Sequence, residues 1–471
     1  MRTRSFVAKC VARLQVWRPT PAIVVGAAIA LFAFQVRISS QTGFVARDPG
    51  VRGGAAGAGD PLPGLSNQEL EYFNAGKEEF EEAEELDEGI GPRMNLDSCG
   101  GCHLQPALGG SSPAVNPQFE FANKDGGTDV VPSFITADGP VREARFIKNH
   151  DGTADGGVHA LFTITGREGA ETCKIEQPDF ATELANRNVI FRIPTPVFGA
   201  GLIEMIPDSA LLANQAANAT AKSSLGIRGR ANFQVAGRAV TAQMNHNGND
   251  GTISRFGWKA QNKSLLIFSG EAYNVEMGIT NDLFQTEREE TEGCQYADIP
   301  NSFTDMTATT PSGVLSAIEK FSFFMRMMAP PAPSLEVPGA TPASIAAGKN
   351  LFTTTGCAFC HTPSLKTGSA RMTALAYKDV NLYSDLLLHD MGVGLSDGVS
   401  QGEAGPREFR TAPLWGLGQR IFFLHDGRTS DLIAAIRAHQ SNGSEASTVV
   451  TRFNKLTETQ KQQLLNFLRS L

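Results

Sequence analysis

The spacing of hydrophobic residues predicts a helix at the end of the chain. Residues 457–471 carry leucines three and four positions apart, which places them along one helical face. Thr457 followed by Gln460 is the pattern of a capping box, so we expect the helix to begin at Thr457. The leucines are Leu464, Leu465, Leu468 and Leu471.

Two short stretches repeat each other, and both lie in predicted helices. NAGKEEF at residues 74–80 matches AAGKNLF at residues 346–352. Each stretch places a glycine, Gly76 or Gly348, in a helix interior, where glycine costs roughly 1 kcal/mol relative to alanine. A close crossing with another helix would offset that cost. The repeat therefore predicts two similar helical modules, and the C-terminal helix is the expected partner of the second.

The starts of these two helices are also marked in the sequence. Ser66 and Glu69 form a capping box before the first helix. Thr341 and Pro342 suit the cap and the first turn of the second. Strand-like runs such as ALFTITG at residues 160–166 lie between them, so we expect some β structure there.

Composition divides the rest of the chain into segments. Residues 1–19 carry five basic residues and no acid, and an apolar run follows at residues 21–34. This order is typical of an export signal, but no clean cleavage site follows, so residues 1–44 are either an export signal or an N-terminal anchor. Residues 45–65, rich in Gly, Ala and Pro, and the proline-rich residues 328–342 are predicted to be linkers.

The linkers leave two modules, residues 66–327 and residues 343–471, and the first is long enough to contain a large insertion. Hydrophobic residues make up 41% of the chain, enough for buried cores. The net charge of −8 argues against a nucleic acid as a partner. An exported chain of this kind is expected in the periplasm, either soluble or anchored by its N-terminal segment.

Two Cys-x-x-Cys-His motifs predict two covalently attached haem groups. Two cysteines three residues apart on a helical turn lie on one face, where each can bond to a haem vinyl group. The histidine that follows can then bind the iron. The motif residues are Cys99, Cys102 and His103, and Cys357, Cys360 and His361.

Other uses of the cysteines are weaker. Two Cys-x-x-Cys pairs could form a Cys₄ zinc site, but zinc does not require a histidine directly after both pairs. No βαβ pattern surrounds either motif, which disfavours a thioredoxin-like redox pair. The remaining Cys173 and Cys294 are either a disulfide in an oxidising compartment or two unrelated thiols, and the sequence leaves both possibilities open.

From about Leu70 to the C-terminus the chain resembles the di-haem oxidoreductase family of peroxidases, also called "thiol oxidoreductases", which is related to the bacterial di-haem cytochrome c peroxidases. The most specific segments are YSDLLLHDMGVGLSDG at residues 383–398 and FRTAPLWGLGQRIFFLHDGRTSDLIAAIRAH at residues 409–439. Further segments are NLDSCGGCHLQPALGGSS (95–112), FRIPTPVFGAGLIEMIPD (191–208), SRFGWKAQ (254–261) and EMGITNDLF (276–284).

The resemblance implies a mainly α fold of two cytochrome c-like domains, the first with a long insertion that contains some β structure. One haem would be a high-potential site of electron entry. The other would be a low-potential site where peroxide binds. Related peroxidases also hold a Ca²⁺ between the domains, although no clear loop of oxygen ligands is visible here.

Met391 is the expected sixth ligand of the second haem iron. It follows His361 by 30 residues in the glycine-rich loop HDMGVG, and small c-type cytochromes place their methionine ligand in such a loop. His389 is the rival ligand, and filling a gap in the core is the alternative role for the methionine. The first haem has no obvious sixth ligand, which favours an open iron position.

Glu204 is the candidate for moving a proton during cleavage of the O–O bond. It is the lone acid in the apolar stretch GLIEMIP, and apolar surroundings favour the protonated form of a carboxyl group. Its segment also falls where related peroxidases supply a distal glutamate. The alternative is a glutamate at a helix end facing water.

Several further residues have two readings each. A tryptophan between the haems can relay electrons, but is more often a large core residue. Arginines can bind haem propionates or form surface ion pairs, and a His-Asp-Gly segment packs near the electron-transfer haem in related peroxidases. The residues in question are Trp258 and Trp415, Arg410 and Arg428, and His425 and Asp426.

Three functions are compatible with the motifs. The first is a peroxidase that reduces hydrogen peroxide at the N-terminal haem with electrons that enter through the C-terminal haem. The donor would be a periplasmic protein such as a small cytochrome or cupredoxin. The second is an electron-transfer cytochrome without enzymatic activity. The third is a protein- or polymer-modifying di-haem oxidase.

Overall fold

The structure, a computed structural model, describes residues 43–235, 239–240, 243–244, 250–288 and 291–471. The predicted export signal or anchor therefore lies, up to residue 42, outside the described residues. No helix in the described ranges is long and apolar enough to cross a membrane.

Helices of four to fifteen residues are distributed along the whole described chain, with short 3₁₀ turns at Leu86–Glu88, Lys124–Gly126, Cys357–Phe359 and Leu417–Gln419. The α-helices are α1 Asn67–Glu81, α2 Cys99–Cys102, α3 Gln118–Phe121, α4 Phe180–Ala185, α5 Ala200–Glu204, α6 Asp208–Ala216, α7 Ala219–Leu225, α8 Leu265–Met277, α9 Ala317–Met327, α10 Pro342–Thr355, α11 Leu432–Ala438, α12 Ser447–Asn454 and α13 Glu458–Arg469.

The sheets are small and antiparallel. The strands are β1 Arg93–Met94, β2 Glu143–Phe146, β3 Val158–His159, β4 Phe162–Thr163, β5 Val189–Arg192, β6 Asn232–Val235, β7 Ala239–Val240, β8 Gln243–Met244, β9 Asp250–Ser254, β10 Leu365–Lys366, β11 Asp379–Val380, β12 Leu388–Asp390 and β13 Glu408–Arg410. Strand β2 lies between β3 and β5, and the other strands form two-stranded pairs. The architecture is thus mixed helical with small sheets, and β structure extends beyond the predicted insertion into residues 365–410.

Glycines allow two close helix crossings. A Cβ atom on Gly76 of α1 would collide with the carbonyl oxygen of Lys320 in α9. A Cβ atom on Gly348 of α10 would collide in the same way with the carbonyl oxygen of Gln463 in α13. The repeat thus marks two equivalent crossings, and the C-terminal helix is the partner of the second, as the sequence predicted.

The predicted helix starts are confirmed. Ser66 accepts a hydrogen bond from the Glu69 amide, and the Glu69 carboxylate accepts one from the Ser66 amide, which is the complete capping box. Thr341 caps α10, and Thr457 caps α13 together with Gln460.

The two predicted linkers run side by side. Leu62 donates its amide hydrogen to Met327, and the Ala332 amide donates to Ala56. The buried Arg52 donates from Nη2 to the carbonyl oxygen of Ala332 at 2.6 Å. Residues 52–62 are therefore held against the segment that follows α9.

One hydrophobic core includes residues from both predicted modules. Phe80, Phe321 and Phe324 belong to it, and so do Leu386 and Trp415 from the C-terminal part. Residues Arg47–Leu471 form one compact unit by their contacts. This core thus joins the two predicted modules, although their boundaries stay a prediction.

Candidate haem sites

The first Cys-x-x-Cys-His motif lines a cavity of about 1170 Å³ of empty space. Cys99 and Cys102 are the first and last residues of α2, and His103 follows directly. Phe80 from α1 lies edge-on to His103 with ring centroids 6.0 Å apart. Helices α8 and α9 form further walls of the cavity.

The second motif lines a separate cavity of about 1440 Å³ of empty space. Cys357 lies in a 3₁₀ turn, and Cys360 and His361 follow it. Phe352 from α10 packs near His361 with ring centroids 6.5 Å apart. Phe80 and Phe352 are the last residues of the two repeated stretches, so the repeat also supplies equivalent contacts to the two motif histidines.

Both motif histidines are oriented by a backbone carbonyl group. His103 Nδ1 lies 2.9 Å from the carbonyl oxygen of Gly110, and His361 Nδ1 lies 3.1 Å from that of Tyr383. A carbonyl oxygen accepts only from a protonated Nδ1, so Nε2 keeps a lone pair for a metal. Burial lowers the pKa of each imidazole to about 4, which also favours the neutral, ligating form.

These residues fit haem. Cys99, Cys102, Cys357 and Cys360 are free thiols, and each pair lines a cavity together with the histidine that follows it. Because the two cysteine pairs line different cavities, they do not form a Cys₄ zinc site, and the described residues contain no cluster of three or more acidic, Cys or His groups arranged for a metal ion.

Buried arginines supply a second sign of an anionic cofactor. Arg410 and Arg420 line the C-terminal cavity, and among the described residues no carboxylate pairs with either guanidinium. Burial lowers the pKa of each to about 10, and the two cations also repel each other. An unpaired buried ion costs several kcal/mol, and haem propionates would neutralise these charges. At the N-terminal cavity, Nε of Arg142 likewise has no hydrogen-bond partner.

Arg428, the other arginine that the sequence suggested for binding a propionate, lines neither haem cavity. Its guanidinium is partly exposed, pairs with Asp426 at 2.5 Å, and donates to the carbonyl oxygen of Gly394. Of the two arginines singled out in the sequence, Arg410 lines the cavity and Arg428 forms a local ion pair. No pattern in the sequence pointed to Arg420.

An acid pair lines the N-terminal cavity. Glu143 and Glu276 form a hydrogen bond to each other, and Arg145 Nε lies 2.5 Å from Glu143. Burial and the negative charge of Glu143 raise the pKa of Glu276 well above its ordinary value. Although burial acts to raise the pKa of Glu143, the nearby Arg145 lowers it to about 2. Asn95 also donates to Glu276 Oε2 at 2.9 Å. A hydrogen bond between two carboxyl groups needs a proton on one of them, and the directions of the two pKa shifts favour Glu276 as the group that carries it.

Glu204 occupies a different position. Its carboxylate pairs with Arg326 Nε at 2.7 Å and accepts from the Leu265 amide at the start of α8 at 2.9 Å. It is not among the residues that line either haem cavity. Glu204 thus links three helices, and its catalytic role stays a prediction.

The C-terminal cavity is rich in histidine. His389, His425 and His439 line it in addition to His361, and so does Met391. In the N-terminal cavity, His103 is the only histidine among the described lining residues, and Met277 and Met325 are the methionines. The sequence pointed to Met391 and His389 but gave no reason to consider His439.

Trp258 lies between the two cavities. It lines both of them and also a smaller space of about 550 Å³ that Trp415 lines as well. Its Nε1 donates to the carbonyl oxygen of Ile193 at 2.9 Å, which fixes the ring. Its position matches the predicted relay between haems, which stays a prediction.

A buried ion cluster joins the segments around Trp258. Asp397 pairs with Arg192 Nη2 at 2.8 Å and with Lys259 Nζ at 2.9 Å, and all three side chains are almost completely buried. Lys259 also lies over the ring of Phe409 at 4.0 Å from its centroid. This cluster accounts for charged residues in three of the segments that carry the family resemblance.

Cys173 and Cys294 form a disulfide. The sequence had left this pairing open. The bond connects two parts of the first module that are 121 residues apart.

Comparison with known proteins shows the family of the chain. The sequence model of the family described as "Di-haem oxidoreductase, putative peroxidase" matches residues 146–471, which include the second motif but not the first. No curated protein matches the chain. Among solved structures, hydrazine synthase of Kuenenia stuttgartiensis is similar at 15% identity over 44% of this chain and 61% of that one, with a TM-score of 0.24. The chain thus spans less than two thirds of that structure, and the score is too low to relate the folds.

Proposed function

Because the chain belongs to the family of di-haem oxidoreductases, we propose that it reduces hydrogen peroxide at the N-terminal haem with electrons that enter through the C-terminal haem. Cys99 and Cys102 would attach the first haem covalently, and Cys357 and Cys360 the second. The proposal is carried by one observation: two equivalent Cys-x-x-Cys-His sites line two cavities of different chemistry, and one tryptophan lies between them.

The equivalence of the two sites supports two cytochrome c-like domains within residues 66–327 and 343–471. In each, a helix with an interior glycine crosses another helix. In each, the phenylalanine that ends the repeated stretch contacts the motif histidine. Each histidine donates from Nδ1 to a backbone carbonyl oxygen.

The acid pair in the N-terminal cavity supports peroxide chemistry there. Bound haem would supply the iron that binds peroxide and the electrons that reduce it. Reduction of one hydrogen peroxide to two waters consumes two electrons and two protons, so the cavity needs a group that holds and delivers a proton. Burial raises the pKa of Glu276, which favours its protonated form, and its neighbours Glu143 and Asn95 fix its orientation. We therefore assign proton transfer to Glu276, in place of the sequence-based candidate Glu204.

Trp258 supports transfer of electrons between the sites. It is the residue whose ring lines both haem cavities, and Trp415 lines only the smaller space beside it. The buried cluster of Asp397, Arg192 and Lys259 holds the adjacent segments in place. An aromatic ring fixed in this way would shorten the gap that an electron has to cross.

The partner and location follow from the same proposal. Covalent attachment to two Cys-x-x-Cys-His motifs suits an exported protein, so the chain would act in the periplasm, free or held by its N-terminal segment. Its donor would be a small cytochrome or cupredoxin. The acidic stretch at residues 78–88 supports a donor with a basic surface.

The test is an optical titration of the purified, half-reduced protein with hydrogen peroxide. We expect rapid oxidation of the C-terminal haem and loss of one peroxide for each two electrons delivered. If neither haem spectrum changes, the protein is an electron-transfer cytochrome. If peroxide is consumed slowly and oxidising equivalents persist until a partner protein is added, it is a protein-modifying oxidase. Either of these two results contradicts the proposal.

A further inference from the structure

The iron ligands available in the C-terminal cavity can be separated by their surroundings. Besides His361, the cavity is lined by His389, His425, His439 and Met391. A haem iron held by His361 has one further axial position. The question is which of these four side chains has both a free donor atom and a place opposite His361.

His389 has no free donor atom. Its Nε2 lies 3.0 Å from the carboxylate of Asp385, and its Nδ1 lies 2.8 Å from that of Glu445. A histidine between two carboxylates donates a hydrogen from both ring nitrogens. It therefore has no lone pair with which to bind a metal.

His425 and Met391 belong to the cluster around Trp258 rather than to the surroundings of His361. His425 stacks on Phe409 with ring centroids 4.3 Å apart and lies edge-on to Trp258 at 6.4 Å. Met391 packs against the same hydrophobic cluster, which contains Trp258 and Phe409. Both side chains thus pack around Trp258, which also lines the N-terminal cavity.

His439 has the geometry that the two motif histidines share. Its Nδ1 lies 2.8 Å from the carbonyl oxygen of Ala435, one helical turn earlier, so Nε2 keeps its lone pair. It also lines the same cavity as His361. Two neutral imidazoles, each fixed through Nδ1, therefore share one cavity.

We propose that Nε2 of His439 is the second axial ligand of the C-terminal haem iron, opposite His361 and in place of Met391. This inference rests on the proposed binding of haem in this cavity. A thioether ligand raises the potential of a haem relative to a second imidazole. The electron-entry haem would then be of lower potential than the family resemblance implies, and its electrons would be delivered to the peroxide site with a larger driving force.

The test is absorption and electron paramagnetic resonance spectroscopy of the holoprotein and four variants, without any substrate. For the oxidised wild type we expect a low-spin C-terminal haem without the far-red band of a methionine sulfur bound to iron. His439→Ala should convert that haem to a high-spin form, and added imidazole should restore the low-spin spectrum. Met391→Leu and His425→Phe should leave the axial spectrum unchanged. His439→Met should introduce the far-red band and raise the midpoint potential.

The opposite pattern would overturn the inference: a methionine band in the wild type that Met391→Leu removes, or a low-spin haem that persists in His439→Ala. Haem content is measured separately by the pyridine haemochrome method, so a failure to bind haem is distinguished from a different ligand. Peroxide turnover is a third measurement. A protein that shows the expected spectra but consumes no peroxide would contradict the proposed function and leave the ligand assignment intact.

Discussion

The two haem cavities are alike around the motif histidine and differ in the other side chains that line them. In both, a phenylalanine from a glycine-containing helix packs against a histidine fixed by a backbone carbonyl group. The N-terminal cavity then adds carboxyl groups, whereas the C-terminal cavity adds imidazoles and two unpaired arginines. On our proposals, the common parts would attach the cofactor, and the other lining residues would determine whether the iron meets a proton source or a second ligand.

The largest expected effect concerns the acids that distinguish the N-terminal cavity. Glu276→Gln should lower the rate of peroxide reduction ~10²–10⁴-fold, the usual contribution of a general acid–base. The amide keeps the size of the side chain but cannot supply the proton. Stopped-flow reoxidation of the reduced protein measures the rate. Glu204→Gln is the matched control and should retain most of the activity. If Glu204→Gln lowered the rate of peroxide reduction more than Glu276→Gln, Glu204 would be the proton-transfer group.

The second prediction concerns a buried carboxyl group beside the N-terminal cavity, which should make the free energy of unfolding of the protein depend on pH. Tyr273, which lines this cavity, donates to Glu84 at 2.6 Å, and burial raises the pKa of Glu84 to about 8. The folded state therefore keeps a proton that the unfolded state loses first. The free energy of unfolding should fall as pH rises from the ordinary glutamate range to about 8, by up to about 1.4 kcal/mol per pH unit.

Urea unfolding across this pH range measures that contribution. In Glu84→Gln the corresponding part of the slope should disappear, because the amide does not titrate. A variant with the same slope as the wild type would show that Glu84 is ionised in the folded protein.

The shared helix crossings should respond alike to the same substitution. Gly76→Ala and Gly348→Ala each direct a methyl group at a backbone carbonyl oxygen of the partner helix. Overpacking of this kind costs about 1–3 kcal/mol, which denaturant unfolding measures. Gly405→Ala is the control, because a Cβ there meets only a carboxylate oxygen at 3.4 Å. If only one of the two variants were destabilised, the two helix crossings would not be equivalent.

The smallest effect is expected for the arginines of the C-terminal cavity. Arg420→Met should lower the midpoint potential of that haem, because a nearby positive charge stabilises the reduced form. Arg428→Met should leave the potential unchanged, since Arg428 is partly exposed and paired with Asp426. Redox titration of both variants decides between a cavity role and a purely structural role for Arg420.

Local patterns predicted the parts of the sites that lie close together in sequence. The two haem motifs, the capping boxes and the glycines at the crossings are each contained in a few neighbouring residues. Glu276 and Glu143 lie far apart in the chain and become an acid pair only after α8 and β2 pack together. The same holds for His439 and His361, which line one cavity.

Glu204 shows that neighbouring residues alone can suggest an environment that the fold does not provide. An acid among apolar neighbours suggested a buried proton carrier. The fold instead places Arg326, which is 122 residues away, beside its carboxylate. A long-range ion pair of this kind leaves no mark in the neighbouring sequence.

The disulfide between Cys173 and Cys294 has a consequence for the biogenesis of the protein. One pair of cysteines is oxidised while Cys99, Cys102, Cys357 and Cys360 remain thiols. Cysteines three residues apart readily form a disulfide of their own. When an oxidant forms a mixed disulfide with one of them, the thiolate of the other can attack that sulfur and release the oxidant. If haem is attached as we propose, the cell that produces this chain has to oxidise one pair and keep the other two as thiols, on the same polypeptide, until each haem is attached.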